Sequence, residues 1–288
     1  MKILSPAKIN LFLQVTGKRA DGYHDLFSLM CCVSLCDTIQ LEFGAKTIEI
    51  DSTHPQIPLD ETNLAHKAAT LFFQNLDTDD GVKITIEKSI PVAAGLGGGS
   101  SNAAAVLKGL NCYYEFPFSR RQLMSMGLRL GADVPFFLFE KPALASGVGE
   151  KLEEYPDLTP YYVILIYPGF AVSTAEVFQN LNLGLTKCKK KIRKSSFRKI
   201  GYDVSRHLCN DLEAVTASRY PVINLLKNQL LEHGALGALM SGSGPTVFGL
   251  FSEQRKAAAA MQVFGKDTRW DAYLAEVIHE RPAVDECF

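Results

Sequence analysis

Neither sign of charge dominates this sequence: 30 Lys and Arg stand against 31 Asp and Glu, a formal net charge of −1 over 288 residues. Without a basic field there is no general attraction to nucleic acid or to an anionic membrane, and neither is expected as a partner. Long apolar runs are missing as well. The longest, such as Tyr161 to Tyr167, fall far short of the roughly 20 residues needed to cross a bilayer. Cys-x-x-Cys pairs are absent and the seven cysteines are an odd number. A disulfide framework or zinc site is therefore not expected, and reduced thiols are. Met1 to Pro6 reaches polar residues too soon for a signal peptide, so the expected location is cytoplasmic. Internal repeats and low-complexity tracts are absent. What remains is a chain with 47% hydrophobic residues, enough for one large or two ordinary domains with sizeable cores.

The densest chemical signal is Pro91-Val92-Ala93-Ala94-Gly95-Leu96-Gly97-Gly98-Gly99-Ser100-Ser101. Upstream, Val82, Ile84 and Ile86 alternate with Lys83, Thr85 and Glu87, the period of a half-buried strand. Downstream, Ala103 to Leu110 is rich in helix formers, with Ser100, Ser101 or Asn102 available as a cap. Strand, glycine loop and helix start make a phosphate-binding arrangement. Glycines let backbone N–H groups approach an anion, and the amides of the first helical turn point at it. Spelling excludes the two commonest loops of this kind. A P-loop needs a lysine where Gly99 stands, and the Gly-x-Gly-x-x-Gly fingerprint ends here on Ser100 or Asn102. A mere turn would not require four glycines between Gly95 and Gly99.

Taken in order, residues 3–15 read as a strand, with Ile9, Leu11, Leu13 and Val15 alternating against Asn10, Phe12 and Gln14. Lys8 and Asn10 then share a face that is either an active-site wall or a solvated sheet edge. Gly17 to His24 is turn-like, and Tyr23-His24 either grips a planar base or packs in a core. Leu26 to Leu35 is apolar, Ile39–Phe43 and Thr47–Ile50 are strands, and His54–Asp60 is a loop. Helices are expected over Asn63–Phe73 and from Ser119 to about Leu130. Gly131-Ala132-Asp133-Val134-Pro135 opens another, with Asp133 as its cap or in a first turn that favours negative charge. Ala145–Gly149 is a small-residue strand or turn, and Pro156–Pro160 is the candidate domain junction.

Beyond the junction, Tyr162–Tyr167 is a buried strand and Ser173-Thr174-Ala175-Glu176 spells a capping box. The basic run Lys187–Lys194 reads as a solvated loop rather than a nucleic-acid site. Pro221–His233 is an amphipathic helix. Ala238–Phe251 carries a second glycine turn whose Ser241–Thr246 backbone forms a tight hairpin or an anion-holding concavity. A helix over Ser252–Val263 and a strand over Ala272–His279 complete the pattern.

Three motifs occur in fixed order: Pro6-Ala7-Lys8-Ile9-Asn10-Leu11, Pro91 to Ser101, and Met240-Ser241-Gly242-Ser243-Gly244-Pro245-Thr246. Together they resemble the galactokinase–homoserine kinase–mevalonate kinase–phosphomevalonate kinase superfamily. Arg19-Ala20-Asp21-Gly22-Tyr23-His24 and Gly131-Ala132-Asp133-Val134-Pro135-Phe136 resemble most its branch with a cytidyl-bearing substrate, and the likeness runs over essentially the whole chain. The resemblance implies an α/β fold of the α+β type in two domains. An N-terminal ribosomal-S5-domain-2-like nucleotide domain would span 1–155, a C-terminal ferredoxin-like substrate domain 156–288, and the active site would lie in the cleft between them.

It also implies an ATP-dependent kinase, a monomer or weak homodimer, phosphorylating the tertiary 2-hydroxyl of a small diphosphocytidyl methylerythritol in the non-mevalonate isoprenoid route. The alternative is another small-molecule kinase of the superfamily, acting on homoserine, mevalonate or a sugar. By this resemblance Asp133 takes the hydroxyl's proton, Lys8 polarises that hydroxyl, and Pro91–Ser101 holds the ATP phosphates. Tyr23, His24 and Phe178 would hold the cytosine. Asn10, Lys88 and Thr174 would line the methylerythritol diphosphate pocket, and Gly242, Ser243 and Gly244 would complete the substrate side. Mg2+ is implied by ATP chemistry without a dedicated protein metal site, resting on the nucleotide and on a hydroxyl such as Ser100 or Ser101. One departure is visible: Ala93 stands where many relatives carry glycine, which is tolerable if its φ is negative.

Overall fold

Two long strands carry the fold, β1 (Lys2–Lys18) and β2 (His24–Ala45), paired antiparallel along their lengths. The computed structural model describes residues 1–181, 188 and 201–279, so all of the basic run Lys187–Lys194 except Cys188 lies outside the described residues. β2 is one 22-residue strand that takes in both the apolar Leu26–Leu35 segment and the strand expected over Ile39–Phe43. Its length lets it pair with three further strands. β5 (Ala143–Gly147) runs along Leu26–Met30, β11 (Asp271–Ile278) meets Cys32 and Val33, and β4 (Gly81–Glu87) runs along Thr38–Ala45. β3 (Ile48–Ser52) adds parallel to β4, and β6 (Lys151–Glu154) antiparallel to β5.

The later part of the chain forms a second set of strands. β7 (Tyr162–Tyr167), β9 (Gly237–Met240), β10 (Val247–Phe251) and β11 lie in the order β11-β7-β10-β9, all antiparallel. With helices between its first and second and its third and fourth strands, this is the ferredoxin-like arrangement. A short strand β8 (Cys209–Asn210) pairs parallel with Phe12 and Leu13 of β1. Because β11 pairs with both β2 and β7, the two halves share one continuous sheet system. Pro156–Pro160 lies between β6 and β7, and Tyr155, Leu158 and Tyr161 are buried in a cluster that also contains Ile9, Phe12 and Leu250.

Helices α1 (Leu64–Leu76), α2 (Gly98–Tyr113), α3 (Arg120–Leu130) and α4 (Val134–Phe139) cover the first part of the sheet. Phe72, Leu107 and Phe137 are buried there with Ile39, Leu41 and Ile84. Short helices α5 (Thr174–Gln179), α6 (Val204–His207) and α7 (Glu213–Arg219) precede α8 (Val222–Glu232) and α9 (Gln254–Phe264). The last two bury Leu226, Leu230, Ala257 and Phe264 with Ile164, Ile166 and Val247. Each such leucine, isoleucine, valine or phenylalanine side chain contributes about 1.5–3 kcal/mol when taken fully out of water.

Several sequence expectations are corrected. The strict alternation of residues 3–15 fails because the register with β2 jumps between Asn10 and Phe12, leaving Leu11 as the extra residue. A bulge of this kind shifts which face each later side chain meets. Phe12 joins Ile9 and Leu11 in one core cluster, while Leu13 and Val15 pack in another. Ser173 caps α5 by accepting from Glu176 N at 3.3 Å, but the Glu176 carboxylate pairs with Arg219 instead of returning to the cap. The reduced-thiol expectation also fails, since Cys188 and Cys209 form a disulfide. Counting cysteines and looking for Cys-x-x-Cys cannot see a pair that the fold brings together across 21 positions.

Two features lie close under the glycine loop that joins β4 to α2. Asp37, near the middle of β2 and fully buried, accepts hydrogen bonds from the N–H groups of Ser89 and Ile90 at 2.8 Å each and pairs with the Lys88 ammonium. The loop's first turn holds Ala93 at φ +52°, which overturns the negative φ that would have made its methyl harmless. An L-residue with a Cβ is disfavoured there by roughly 1–2 kcal/mol. Ala93→Gly is therefore expected to raise stability by about 1 kcal/mol, read as an increased urea midpoint at unchanged slope. Asp37→Ala strands the Lys88 charge in the interior, and denaturant titration should show a loss of about 3–5 kcal/mol.

Candidate active site

The glycine loop is held from both sides by backbone bonds. On one side Lys8 N donates to Leu96 O at 2.9 Å, fastening the loop to β1. On the other, Ser241 Oγ donates to Gly95 O at 3.0 Å and Thr246 N to Ala94 O at 3.3 Å, fastening it to the second glycine turn. Glycine at 95 is obligatory. Its φ is +78°, and a Cβ there would sit 2.3 Å from Ser241 O. Gly97, at φ +72°, is the cap residue of α2 and would crowd Lys8 Cγ and Phe137 with any side chain.

The helix starts earlier than its alanine run suggests, at Gly98, and no side chain caps it. Ser100, Ser101 and Asn102 are inside the helix, so none is the cap the sequence suggested. The physical consequence is useful. The N–H groups of Gly98, Gly99 and Ser100 have no capping oxygen, while Ser101 N already bonds to Gly97 O at 2.9 Å. Free amides at a helix N-terminus, with the helix dipole behind them, suit an anion such as a nucleotide phosphate.

The loop forms part of the wall of a cleft of about 1140 Å³. Pro91, Val92, Ala93, Ala94, Gly95, Gly97, Gly98, Gly99 and Ser100 line it. Leu96 and Ser101 do not face it. Leu96 is buried in the core, and Ser101 Oγ accepts from Ser5 Oγ at 2.8 Å beneath the helix. That removes Ser101 as a metal-facing hydroxyl. Asn102, also buried, satisfies its neighbours with its amide nitrogen turned to Ser5 Oγ, the Gly98 carbonyl and Asp37 Oδ2. Ser5, Asn102 and Asp37 thus brace the loop from below. No local motif marks Ser5 or Asp37, because their partners lie 51 to 97 positions away in sequence.

Lys8 and Asp133 come together at this wall, with Nζ 3.6 Å from Oδ2. The Lys8 side chain is 5% exposed and that of Asp133 40%. Asp133 stands in the N-cap position of α4, yet its carboxylate makes no capping bond and is left to face the cleft. Lys8 Nζ also donates to Asn10 Oδ1 at 2.7 Å, and Asn10 Nδ2 donates to Ser28 Oγ at 2.9 Å. Lys8 and Asn10 are both buried, which excludes the solvated-edge reading of their face. Gly242 lies over this pair; a Cβ on it would be 3.2 Å from Lys8 Nζ.

The remaining predicted residues spread along the same cleft, with Gly244 the one exception. His24 is buried and stacks on Phe178, ring centroids 5.2 Å apart at 25°. Burial, helped by the nearby Lys18 charge, holds the His24 pKa below the usual histidine value. The ring is therefore neutral at pH 7, offering one donor and one acceptor nitrogen. Tyr23 stands at the rim, 63% exposed. Thr174 Oγ1 and Ser243 Oγ share a hydrogen bond of 2.8 Å, linking α5 to the second glycine turn. Lys88 lines the cleft, but its ammonium is committed to Asp37. Gly244 is turned off the cleft wall, where a side chain would strike Met240. Among the described residues, no three His, Cys, Asp or Glu side chains cluster as a metal site.

Comparison with known proteins places the chain in a family. The GHMP kinases N terminal domain matches residues 63–141 and the GHMP kinases C terminal domain residues 188–267. The chain is 47% identical to the 4-diphosphocytidyl-2-C-methyl-D-erythritol kinase of Syntrophotalea carbinolica, covering 96% of this chain and 99% of that one. It is 46% identical to the enzyme of the same name from Syntrophus aciditrophicus, again over 96% and 99%. A crystal structure of 4-(cytidine 5'-diphospho)-2C-methyl-D-erythritol kinase superposes with a TM-score of 0.81 at 33% identity, covering 96% of this chain and 99% of that one. With the two-domain GHMP fold and near full-length identity of this size, the chain belongs to the 4-diphosphocytidyl-2-C-methyl-D-erythritol kinase family of the GHMP kinases.

Proposed function

We propose that this protein transfers the γ-phosphoryl group of ATP to the 2-hydroxyl of 4-diphosphocytidyl-2-C-methyl-D-erythritol, giving the 2-phosphate and ADP, in the non-mevalonate route to isoprenoids. The observation that carries the reading is the approach of Lys8 to Asp133 beside an uncapped helix N-terminus, in a cleft whose wall also presents a His24–Phe178 stack. Phosphoryl transfer depends on in-line positioning and charge stabilisation more than on covalent chemistry. In this reading the amides of Gly98, Gly99 and Ser100 hold the nucleotide's phosphates. Asp133 accepts the proton of the attacking hydroxyl, and Lys8 stabilises charge on the transferred group. Tyr23, His24 and Phe178 take the cytosine, a neutral His24 matching the mixed donor and acceptor edge of the base. Asn10, Lys88, Thr174, Gly242 and Ser243 border the space between base and hydroxyl.

Mg2+ suits this cleft only as a companion of the nucleotide. The Ser100 hydroxyl, on the cleft wall, is the oxygen donor that would share it with the phosphates, where it would neutralise phosphate charge. Among the described residues no helix is long and apolar enough to cross a membrane. A cytoplasmic location and a monomeric or weakly dimeric state belong to the same proposal.

A coupled ADP-release assay comparing the cytidyl methylerythritol with mevalonate and homoserine tests the substrate. Turnover on the first alone is expected, and equal turnover on either of the others overturns the assignment. Lys8→Ala and Asp133→Ala are each expected to lower kcat by about 10²–10⁴-fold with unfolding midpoints close to wild type. A mutant with near-normal turnover takes its residue out of the mechanism. The His24 pKa lies below the ordinary value of about 6.5, so the neutral ring persists to lower pH than in a free histidine. KM for the cytidyl substrate should be flat above about pH 6.5 and climb as acid protonates the ring and removes its acceptor. His24→Gln, which cannot titrate, should lack that climb when KM is measured between pH 5 and 8.

A further inference from the structure

Behind the Lys8 ammonium runs a short chain of buried hydrogen bonds that ends on a backbone carbonyl. Lys8 Nζ donates to Asn10 Oδ1, Asn10 Nδ2 donates to Ser28 Oγ, and Ser28 Oγ donates to Phe12 O at 2.6 Å. Lys8, Asn10 and Ser28 are 4%, 3% and 2% exposed. A hydroxyl has one proton and a carbonyl can only accept, so the Ser28 proton is spent on Phe12. Its oxygen must then receive a bond, and the neighbour at 2.9 Å is the Asn10 amide. That choice fixes the amide: the NH2 group faces Ser28 and the oxygen faces Lys8.

We propose that Ser28 is a positioning residue for the transfer, setting the orientation of Asn10 so that an acceptor, not a donor, meets the Lys8 ammonium. With the amide reversed, two N–H groups would point at a buried cation, and Lys8 would lose its 2.7 Å anchor beside Asp133. The bulge at Leu11 belongs to the same device. It sets the register in which this chain of bonds is made: Phe12 lies opposite Leu29, where unbroken pairing would place Leu11, and Ser28 lies opposite Leu13. Ser28 makes none of the motifs in the sequence and sits 18 positions from Asn10, reached only through the β1–β2 register.

The inference rests on the kinase reading of this cleft, and the test separates the two. The same ADP-release assay is run at saturating ATP on wild type, Ser28→Thr and Ser28→Val, a pair of nearly equal volume that differs in the hydroxyl. Thr should keep kcat within about twofold and Val lose about tenfold, with KM for ATP unchanged in both. In an Asn10→Ala background the Thr and Val variants should be equally active, because Ser28 acts only through that amide. Equal kcat for Thr and Val in the wild-type background overturns the proposal. So does a tenfold difference that survives in the Asn10→Ala background, which would mark a packing effect. Absence of turnover in the wild type itself would instead overturn the function on which the proposal rests.

Discussion

The cleft depends on a place where three stretches of backbone come almost into contact. β1 at Lys8, the loop at Gly95–Leu96 and the turn at Ser241–Gly242 are tied by backbone and hydroxyl bonds near 3 Å. The approach is so close that a single methyl on Gly95 has no room. A loop with four glycines in five residues would be among the most mobile segments of an unfolded chain, since glycine loses the most freedom on ordering. Here the cost of ordering is met by bonds from two different sides of the molecule. The amides of α2 are consequently aimed before any ligand arrives, which is the condition under which fixed dipoles act most strongly on developing charge.

Two lysines lie close to the same loop and are treated in opposite ways. Lys88 faces Asp37, which has no exposure at all, and that carboxylate also gathers the N–H groups of Ser89 and Ile90. Such a pair is committed; it sets the entry of the loop. Lys8 is nearly as buried, but its carboxylate partner, Asp133, is 40% exposed and 3.6 Å away. The second pair is open on one side, toward the cleft. Difference in burial, not in residue type, separates the bracing ion pair from the one proposed to act.

The joined sheet explains how residues from distant parts of the chain keep these tolerances. β11, near the end of the described chain, pairs with β2 and with β7, so the strands under Lys8 and those under the second glycine turn belong to one hydrogen-bonded system. Asn210, beside β1 through β8, donates to the carbonyls of Met240 and Gly242 at 2.8 and 2.7 Å. That prop holds Gly242 over the Lys8–Asn10 pair. The proposed catalytic lysine, the loop and the turn are therefore positioned by sheet registers rather than by loop composition.

The sequence by itself determined the local parts: the strand before the glycine loop, the helix after it, several of the later strands and helices, and the motifs that carry Lys8 and Asp133. These are short-range properties, set by periodicity, by glycine's freedom and by residue spelling. Only the tertiary structure decided which of the marked residues face the cleft. Ser101 and Leu96 belong to the loop motif, yet packing turns them inward. A one-residue bulge breaks the alternation that would have put Phe12 beside Asn10. The cap of α2 is a left-handed glycine instead of a serine, leaving its amides free. Asp37 and Ser28, which brace Lys88 and Asn10, carry no local signal, because a hydrogen bond between residues 18 or 51 positions apart exists only once the strands have found their register.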